Sequence, residues 1–312
     1  MSCRLCGSSD DGDRVLRIPP PPRAGEGQGG GFQLIRCRQC GLVRTEGPGL
    51  DLTYDADYYS AHALQDTMRR LHSGGARVRL TDFAYAAYLD GSSSWLRRLA
   101  ALPVRNRLGG LPPRNESGGS LLDVGSGDGD FLRRAKTAGY QVVGQEINPA
   151  AVASARKAGL DVHLGPLEAA GFVPQSFDAV RLWHVLEHVA EPLAILKTAH
   201  ALLKPSGVLV VGVPDFDSPA RRIFGAQWAG LQLPFHRHHF NPRTLRRALS
   251  VSGFRVRSLR HRSVGTIYSS LTEARRIPQA LTLLAWLGLL VLDDALDLAG
   301  QGDTIDALAS PS

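Results

Sequence analysis

A short apolar strand that ends near an acid and opens into alternating glycines constrains this chain more than any other feature. The stretch LLDVGSGDGDFL, 121–132, ends its strand at Asp123, places Gly125, Gly127 and Gly129 in a turn, and starts a helix near Asp130. Glycines reach backbone conformations closed to other residues and let the main chain pass close to a bound nucleotide. A lone G-x-G-x-G says little, so its surroundings decide its weight. Downstream of Ser120, strand-like and helix-like segments alternate, the pattern of a parallel sheet with crossover helices. The next strand, YQVVGQE, ends in Glu146, where a carboxylate can accept both ribose hydroxyls, and Asn148-Pro149 opens a fresh helix. SFDAVRLWHV and SGVLVVGVPDF read as two later strands of the same sheet.

All four cysteines lie in the first forty residues, as Cys3-x-x-Cys6 and Cys37-x-x-Cys40. Paired C-x-x-C units supply four thiolates, which complete a tetrahedral zinc site and leave no open position, so the role expected is structural. Each unit is followed by glycine, in CRLCG and CRQCG, where the turn back toward sulfur favours positive φ. The Pro/Gly-rich insert PPPPRAGEGQGGG, 19–31, is then a loop between the two knuckles.

Apolar residues make up 43% and charged residues 21% of the chain, which excludes general disorder. The start, MSCRLCGSSDDGDR, does not resemble a secretory leader, and a cytoplasmic location is expected. The net charge of +7 comes almost wholly from arginine and by itself assigns no partner.

The segments LLDVGSGDGDFL, GQEINPAAV, SFDAVRLWHVLEHV, LLKPSGVLVVGVPDFDS and LPFHRHHFNPRTLRRALSVSGF occur in that order. In them the chain resembles the class I S-adenosylmethionine-dependent methyltransferases, in particular the small-molecule branch with an N-terminal zinc ribbon. The resemblance implies an α/β chain: a Rossmann-like seven-stranded methyltransferase sheet with an antiparallel final strand, preceded by the ribbon and followed by a helical tail. The expected division is ribbon 1–52, helical linker or cap 53–118, S-adenosylmethionine-binding core 119–270 and apolar helical tail 271–312. Asp123, Gly125 and Gly127 would border the methionine moiety of the cofactor, Glu146 would hold the ribose, and Ser126, Gly129 and Ile147 complete the expected cofactor-binding residues. Relatives often place an Asp beside the adenine amino group; Pro166 stands there in this chain, so adenine contact would fall to the Leu167 backbone or Glu168.

Residues 184–188, His184-Val-Leu-Glu187-His188, spell H-x-x-E-H, which on a helix sets two His and a Glu on one face around zinc in some peptidases. A peptidase would need another scaffold, and the glycine turn argues for this one. Some ubiquinone-biosynthesis O-methyltransferases carry E-x-x-E-H at this place, associated with a divalent cation. Here the first acid is His184, which weakens a hard-cation site, and the reading preferred is that Glu187 and His188 cap and brace a helix. His184 follows the strand SFDAVRLW at the rim of the expected site. LPFHRHHF resembles a family loop that closes over the substrate. His184, His236 and His239 are therefore the candidate acceptor-facing groups, able to take a proton as neutral imidazoles. Trp183, Trp228 and Phe235 line the pocket or belong to the core.

The activity expected is transfer of a methyl group from S-adenosylmethionine to oxygen or carbon of a small-molecule, sugar or lipid-linked acceptor. The enzyme rival is an RNA methyltransferase that grips phosphates with the ribbon and the tract RTLRRALSVSGFRVRSLRHR. The rival from another class is a noncatalytic cofactor-binding scaffold. The uncharged run 280–292 is too short for a spanning helix. It leaves packing within the fold, a homodimer contact, or peripheral contact with a membrane as the roles to separate.

Overall fold

The computed structural model describes residues 2–9, 12–19, 31–48, 50, 118–273, 292, 293 and 295–312. The expected linker 53–118, Gly118 apart, and the apolar run 280–292, Leu292 apart, lie outside the described residues. Among those described, 118–182 with 201–210 form one compact unit; the ribbon residues up to 50, 183–200 and 211–312 form the other.

The first unit builds the nucleotide half of a doubly wound sheet. Strand β4 (Ser120–Val124) leads through the glycine turn into helix α1 (Asp130–Thr137), then β5 (Gln141–Glu146), helix α2 (Pro149–Lys157) and β6 (Val162–Leu164). Strand β7 (Phe177–Trp183) follows. Parallel ladders join β4 to β5, with Val124 opposite Gln145, β4 to β7, with Val124 opposite Leu182, and β5 to β6. The sequence explains the elements. Leu132 and Ala135, one helical turn apart, are the buried face of α1. Asn148 caps α2 by accepting a hydrogen bond from the Ala151 amide at 3.0 Å, with Pro149 in the first turn where its missing N–H costs nothing. Leu121, Ala135, Tyr140 and Ala179 form one core cluster, and Leu132, Val152, Ala155, Leu160 and Val162 another.

The second unit holds the ribbon: β1 (Asp13–Ile18), β2 (Phe32–Arg36) and β3 (Val43–Glu46), to which β9 (His238–His239) adds a fourth antiparallel strand beside β3. Leu34 and Val43 share a core with Phe216, Ala220, Phe224, Trp228 and Leu231. At about 1.5–3 kcal/mol for each large apolar side chain buried, this is a substantial attachment. Helix α3 (Pro192–Leu202) runs into strand β8 (Leu203–Pro214), and α4 (Pro219–Phe224) follows. Helix α5 (Pro242–Val251) opens on a reciprocal cap between Asn241 and Thr244 and buries Leu245, Ala248 and Leu249. Strand β10 (Phe254–Arg262), α6 (Thr266–Glu273) and β11 (Thr304–Pro311) complete the order.

Hydrogen bonding places seven strands in the order β10-β11-β8-β7-β4-β5-β6, with β10 and β11 antiparallel. This is the expected seven-stranded sheet. Two local expectations are corrected. The tail 271–312 is not helical to its end: Thr304–Pro311 is strand β11, with Ile305, Ala307 and Ala309 fully buried on alternate positions. And no helix carries His184, Glu187 and His188. They lie in a turn, because His184 adopts the left-handed conformation (φ 54°) and the next helix begins only at Pro192.

Candidate active site

The glycine turn is built as its composition requires. Gly125 and Gly127 take φ of 70° and 56°, the Gly125 and Ser126 amides both donate to the Gln145 carbonyl, and a side chain at Gly127 would meet open space. Gly129 serves packing: a Cβ there would lie 2.2 Å from Leu160 Cδ1. Ser126 turns its hydroxyl inward, where it lies against Gly144 with no hydrogen-bond partner among the described residues.

Glu146 is the hub of this turn. Its Oε2 accepts from the Gly127 amide at 2.8 Å, and its Oε1 accepts from the Ile147 and Asn148 amides at 2.8 and 2.9 Å. One carboxylate therefore ties the tip of β5 to the loop after β4. An ionised carboxylate offers about four acceptor sites, so roughly one is left for a ribose hydroxyl. Ile147 beside it is 48% exposed, an apolar side chain held outward. Leu167 is buried in a one-turn 3-10 segment, and Glu168 next to it is exposed.

Asp123 is 0% exposed. Its Oδ1 accepts from Arg181 Nη1 at 2.8 Å, from the residue directly opposite on β7, while its buried Oδ2 has no hydrogen-bond partner among the described residues. Burial pushes the Asp123 carboxyl up, against the Arg181 guanidinium that pulls it down. The guanidinium also sits 3.8 Å from the centre of the Phe131 ring. Arg181 was not singled out from the sequence, although one arginine inside the apolar run FDAVRLW signals a buried partner.

The second unit assembles the histidines. His184 Nδ1 lies 3.0 Å from Glu187 Oε1; the His184 side chain is 31% exposed and that of Glu187 1%. A histidine facing a buried carboxylate holds its proton on that nitrogen and presents Nε2 as the acceptor. Glu187 Oε2 is buried with no hydrogen-bond partner among the described residues. Glu187 Oε2 or Oε1, a His188 nitrogen and a His236 nitrogen lie within 4.8 Å of one another. His236 Nδ1 bonds the Gly230 carbonyl at 2.9 Å and His188 Nδ1 the Phe235 carbonyl at 3.2 Å. Both rings therefore carry their proton on Nδ1, and Nε2 is the lone-pair side.

The structure thus brings His184, Glu187, His188 and His236 together and sets His239 6.3 Å from His236 between ring centres. Burial depresses His188 to about 3 and His239 to about 3. His236 is also pushed well down, by burial first and by its neighbours His188, His239 and His184. These three are neutral at physiological pH and weak proton acceptors, because burial disfavours the charged imidazolium. Trp228 is core, 2% exposed, with its Nε1 donating to Thr266 at 3.0 Å.

The four sulfurs also meet. Cys3 and Cys40 Sγ are 3.5 Å apart and Cys6 and Cys37 3.6 Å. Tetrahedral zinc–thiolate bonds of about 2.3 Å set such edges near 3.8 Å. The knuckles repeat one another: Gly7 and Gly41, φ 73° and 82°, donate to the Cys3 and Cys37 carbonyls at 2.8 and 2.9 Å.

A family model described as a methyltransferase domain matches residues 94–259, more than half of the chain. The chain belongs to the class I S-adenosylmethionine-dependent methyltransferases. The methyltransferase is 35% identical to the ubiquinone biosynthesis O-methyltransferase of Xanthomonas campestris pv. campestris over 133 residues, 39% of this chain and 55% of that protein. It is 33% identical to the enzyme of the same name from Cereibacter sphaeroides over 129 residues, 39% of this chain and 52% of that protein. The chain spans about half the length of the curated relatives it matches. Among solved structures it is similar to a methyltransferase from Thermotoga maritima described as a possible histamine N-methyltransferase. That match has 18% identity and a TM-score of 0.47, and covers 82% of this chain and 100% of that one. Among the described residues no helix is long and apolar enough to cross a membrane.

Proposed function

We propose that this methyltransferase transfers a methyl group from S-adenosylmethionine to a hydroxyl of a small-molecule acceptor, with His184 as the proton acceptor and Glu187 as the group that orients it. The observation that carries the reading is the His184–Glu187 pair: a buried carboxylate 3.0 Å from an imidazole that keeps its other nitrogen at a partly exposed position. The left-handed backbone of His184 adds to it, since such strain in a residue other than glycine persists where the surroundings demand it. The relatives named as O-methyltransferases support oxygen as the acceptor atom.

The donor site we assign lies at the glycine turn after β4, with Gly125, Gly127 and Glu146 around the methionine and ribose portions and Ile147 and Leu167 beside the base. The open space at Gly127 and the remaining acceptor site on Glu146 suit that ligand. Bound there, the donor supplies an electrophilic methyl on positively charged sulfur. His184 Nε2 accepts the acceptor's hydroxyl proton as the oxygen takes the methyl and the carbon–sulfur pair stays on sulfur. Glu187 then stabilises the imidazolium so formed. Open α/β sheets bind ligands beyond the carboxyl ends of their strands, and the glycine turn leaves from the carboxyl end of β4.

The test is incubation of purified protein and labelled S-adenosylmethionine with separate metabolite, lipid and RNA fractions. Label in a hydroxyl of a metabolite, with turnover about 100-fold lower in His184→Ala at unchanged donor affinity, is expected. Label in RNA alone, or full turnover in His184→Ala, overturns the reading.

Two metal sites belong to this proposal. The cysteine site suits structural zinc on its sulfur spacing. The second is a divalent cation at Glu187, His188 and His236, favoured by one candidate ligand atom from each lying within 4.8 Å of the others and by a buried Glu187 oxygen with no hydrogen-bond partner among the described residues. Each of those rings is fixed through Nδ1 to a carbonyl, as metal-binding histidines usually are. One carboxylate and two imidazoles suit zinc, iron or manganese rather than magnesium, and an ion there would supply positive charge beside the acceptor. Metal analysis should find about one equivalent more in wild type than in His236→Ala; equal content removes the second site.

A further inference from the structure

The ribbon and the histidine segment meet at Thr45, a side chain that no sequence motif marks. Thr45, on β3, is 5% exposed and 191 residues from His236 and 194 from His239 in sequence. Its amide donates to the Arg237 carbonyl at 2.9 Å. Its hydroxyl donates to the His236 carbonyl at 2.6 Å and lies 2.9 Å from His239 Nε2. A hydroxyl has one proton. Two oxygens 2.6 Å apart require a proton between them, so that proton is spent on His236. The hydroxyl must therefore accept from His239, which carries its hydrogen on Nε2 and its lone pair on Nδ1. The register supports the same grip, with Val43 opposite His239 and Arg44 opposite His238. The Arg237 and His238 amides donate to the Glu187 carbonyl at 2.7 and 3.0 Å, so the segment held by Thr45 is also tied to the turn that carries Glu187.

We propose that Thr45 is a positioning residue of the acceptor side: through it the ribbon strand fixes His239 as the Nε2–H tautomer and holds the backbone of 236–239 in place. The ribbon is then part of the reaction machinery and more than a zinc-stabilised appendage. The catalytic half of this inference rests on the reading of the histidine segment as acceptor-facing; the tautomer half does not.

The experiment compares full-length wild type, Thr45→Val and Thr45→Ser. Nitrogen-15 NMR of labelled histidine reads the protonated nitrogen of His239 without any acceptor present, with His239→Gln to assign the signal. Wild type and Thr45→Ser should show one tautomer with hydrogen on Nε2. Thr45→Val, which keeps the shape and removes the hydroxyl, should show the other tautomer or a mixture. Calorimetry with S-adenosylhomocysteine should give all three the same affinity within about twofold, confirming that the fold is intact. Methyl incorporation into the metabolite fraction should fall about tenfold or more in Thr45→Val, with Thr45→Ser in between. An unchanged tautomer in Thr45→Val, or hydrogen on Nδ1 in wild type, overturns the proposal. A changed tautomer with unchanged incorporation overturns the positioning role. Absence of incorporation in wild type counts against the proposed function instead, and the tautomer result still decides whether the ribbon sets His239.

Discussion

Replacing Glu146 with glutamine tests the donor site at its most connected atom pair. The substitution keeps shape and volume but exchanges one carboxylate oxygen for an NH2 group. In the native arrangement Oε1 takes two amides, Ile147 and Asn148, and Oε2 takes one, Gly127. The amide will keep its oxygen where it serves two donors, leaving its NH2 to face the Gly127 N–H. A donor then faces a donor at a group that is 6% exposed. Leaving a buried amide unsatisfied costs about 1–3 kcal/mol, and the bonds that survive lose their charge assistance. The ribose loses its charged acceptor as well, about 1.5–3 kcal/mol. Part of the first cost appears as lost stability and part as lost affinity, because the turn can relax when no ligand is bound. The expected weakening for S-adenosylhomocysteine is therefore about 10- to 150-fold by calorimetry, with a lower melting temperature. Affinity within about threefold of wild type would refute the argument that Glu146 joins the turn to the ligand.

Three further outcomes follow from the structure. Metal analysis of Cys37→Ser should show the loss of about one zinc equivalent and a lower melting temperature, and protein prepared anaerobically with no zinc at all would remove the ribbon site. Gly129→Ala places a Cβ against Leu160 at 2.2 Å with φ at 81°, so it should cost about 1–3 kcal/mol in a urea melt; an unshifted midpoint would show that the packing gives way. Burial opposes ionisation of Asp178, but hydrogen bonds from Lys204 and Ser120 outweigh it and hold its carboxyl below the usual value. Its contribution is present above the unfolded value of about 3.9 and lost as pH falls through the lower folded one. Asp178→Asn should cost up to about 1 kcal/mol at pH 7 and nothing in strong acid, and a pH-independent difference would contradict the assignment.

The features readable in advance are those whose physics is local. A glycine must supply positive φ at Gly7, Gly41, Gly125 and Gly127 whatever lies elsewhere, and C-x-x-C brings two sulfurs together within one turn. The turn at 184–188 reads as helix in the sequence because positions three and four apart meet on a helix and also in a tight turn. Only the backbone of His184 separates the two, and nothing in the residue type announces φ of 54°. The pairs that connect distant segments, Asp123 with Arg181 and Thr45 with His239, depend on strand register, which periodicity does not encode. The low values of His188 and His239 depend on burial by residues far away in sequence and were equally out of reach.

Strand β11 changes what the end of the described chain can be asked to do. Its alternate residues Ile305, Ala307 and Ala309 are fully buried, and the strand lies between β10 and β8, so it is an interior strand of the sheet. Asp303, 2% exposed, anchors its start by accepting from the Val264 and Thr266 amides and the Thr266 hydroxyl, and its carbonyl accepts from the Asp215 amide at 2.8 Å. A truncation before Ala280 would therefore take out an interior strand and its anchor together with the apolar run. Loss of folding in that variant would report on β11 and would say nothing about whether the run packs, pairs or meets a membrane. The question has to be put to the run with β11 left in place, because α6 before it and β11 after it are each held to the same unit by their own contacts.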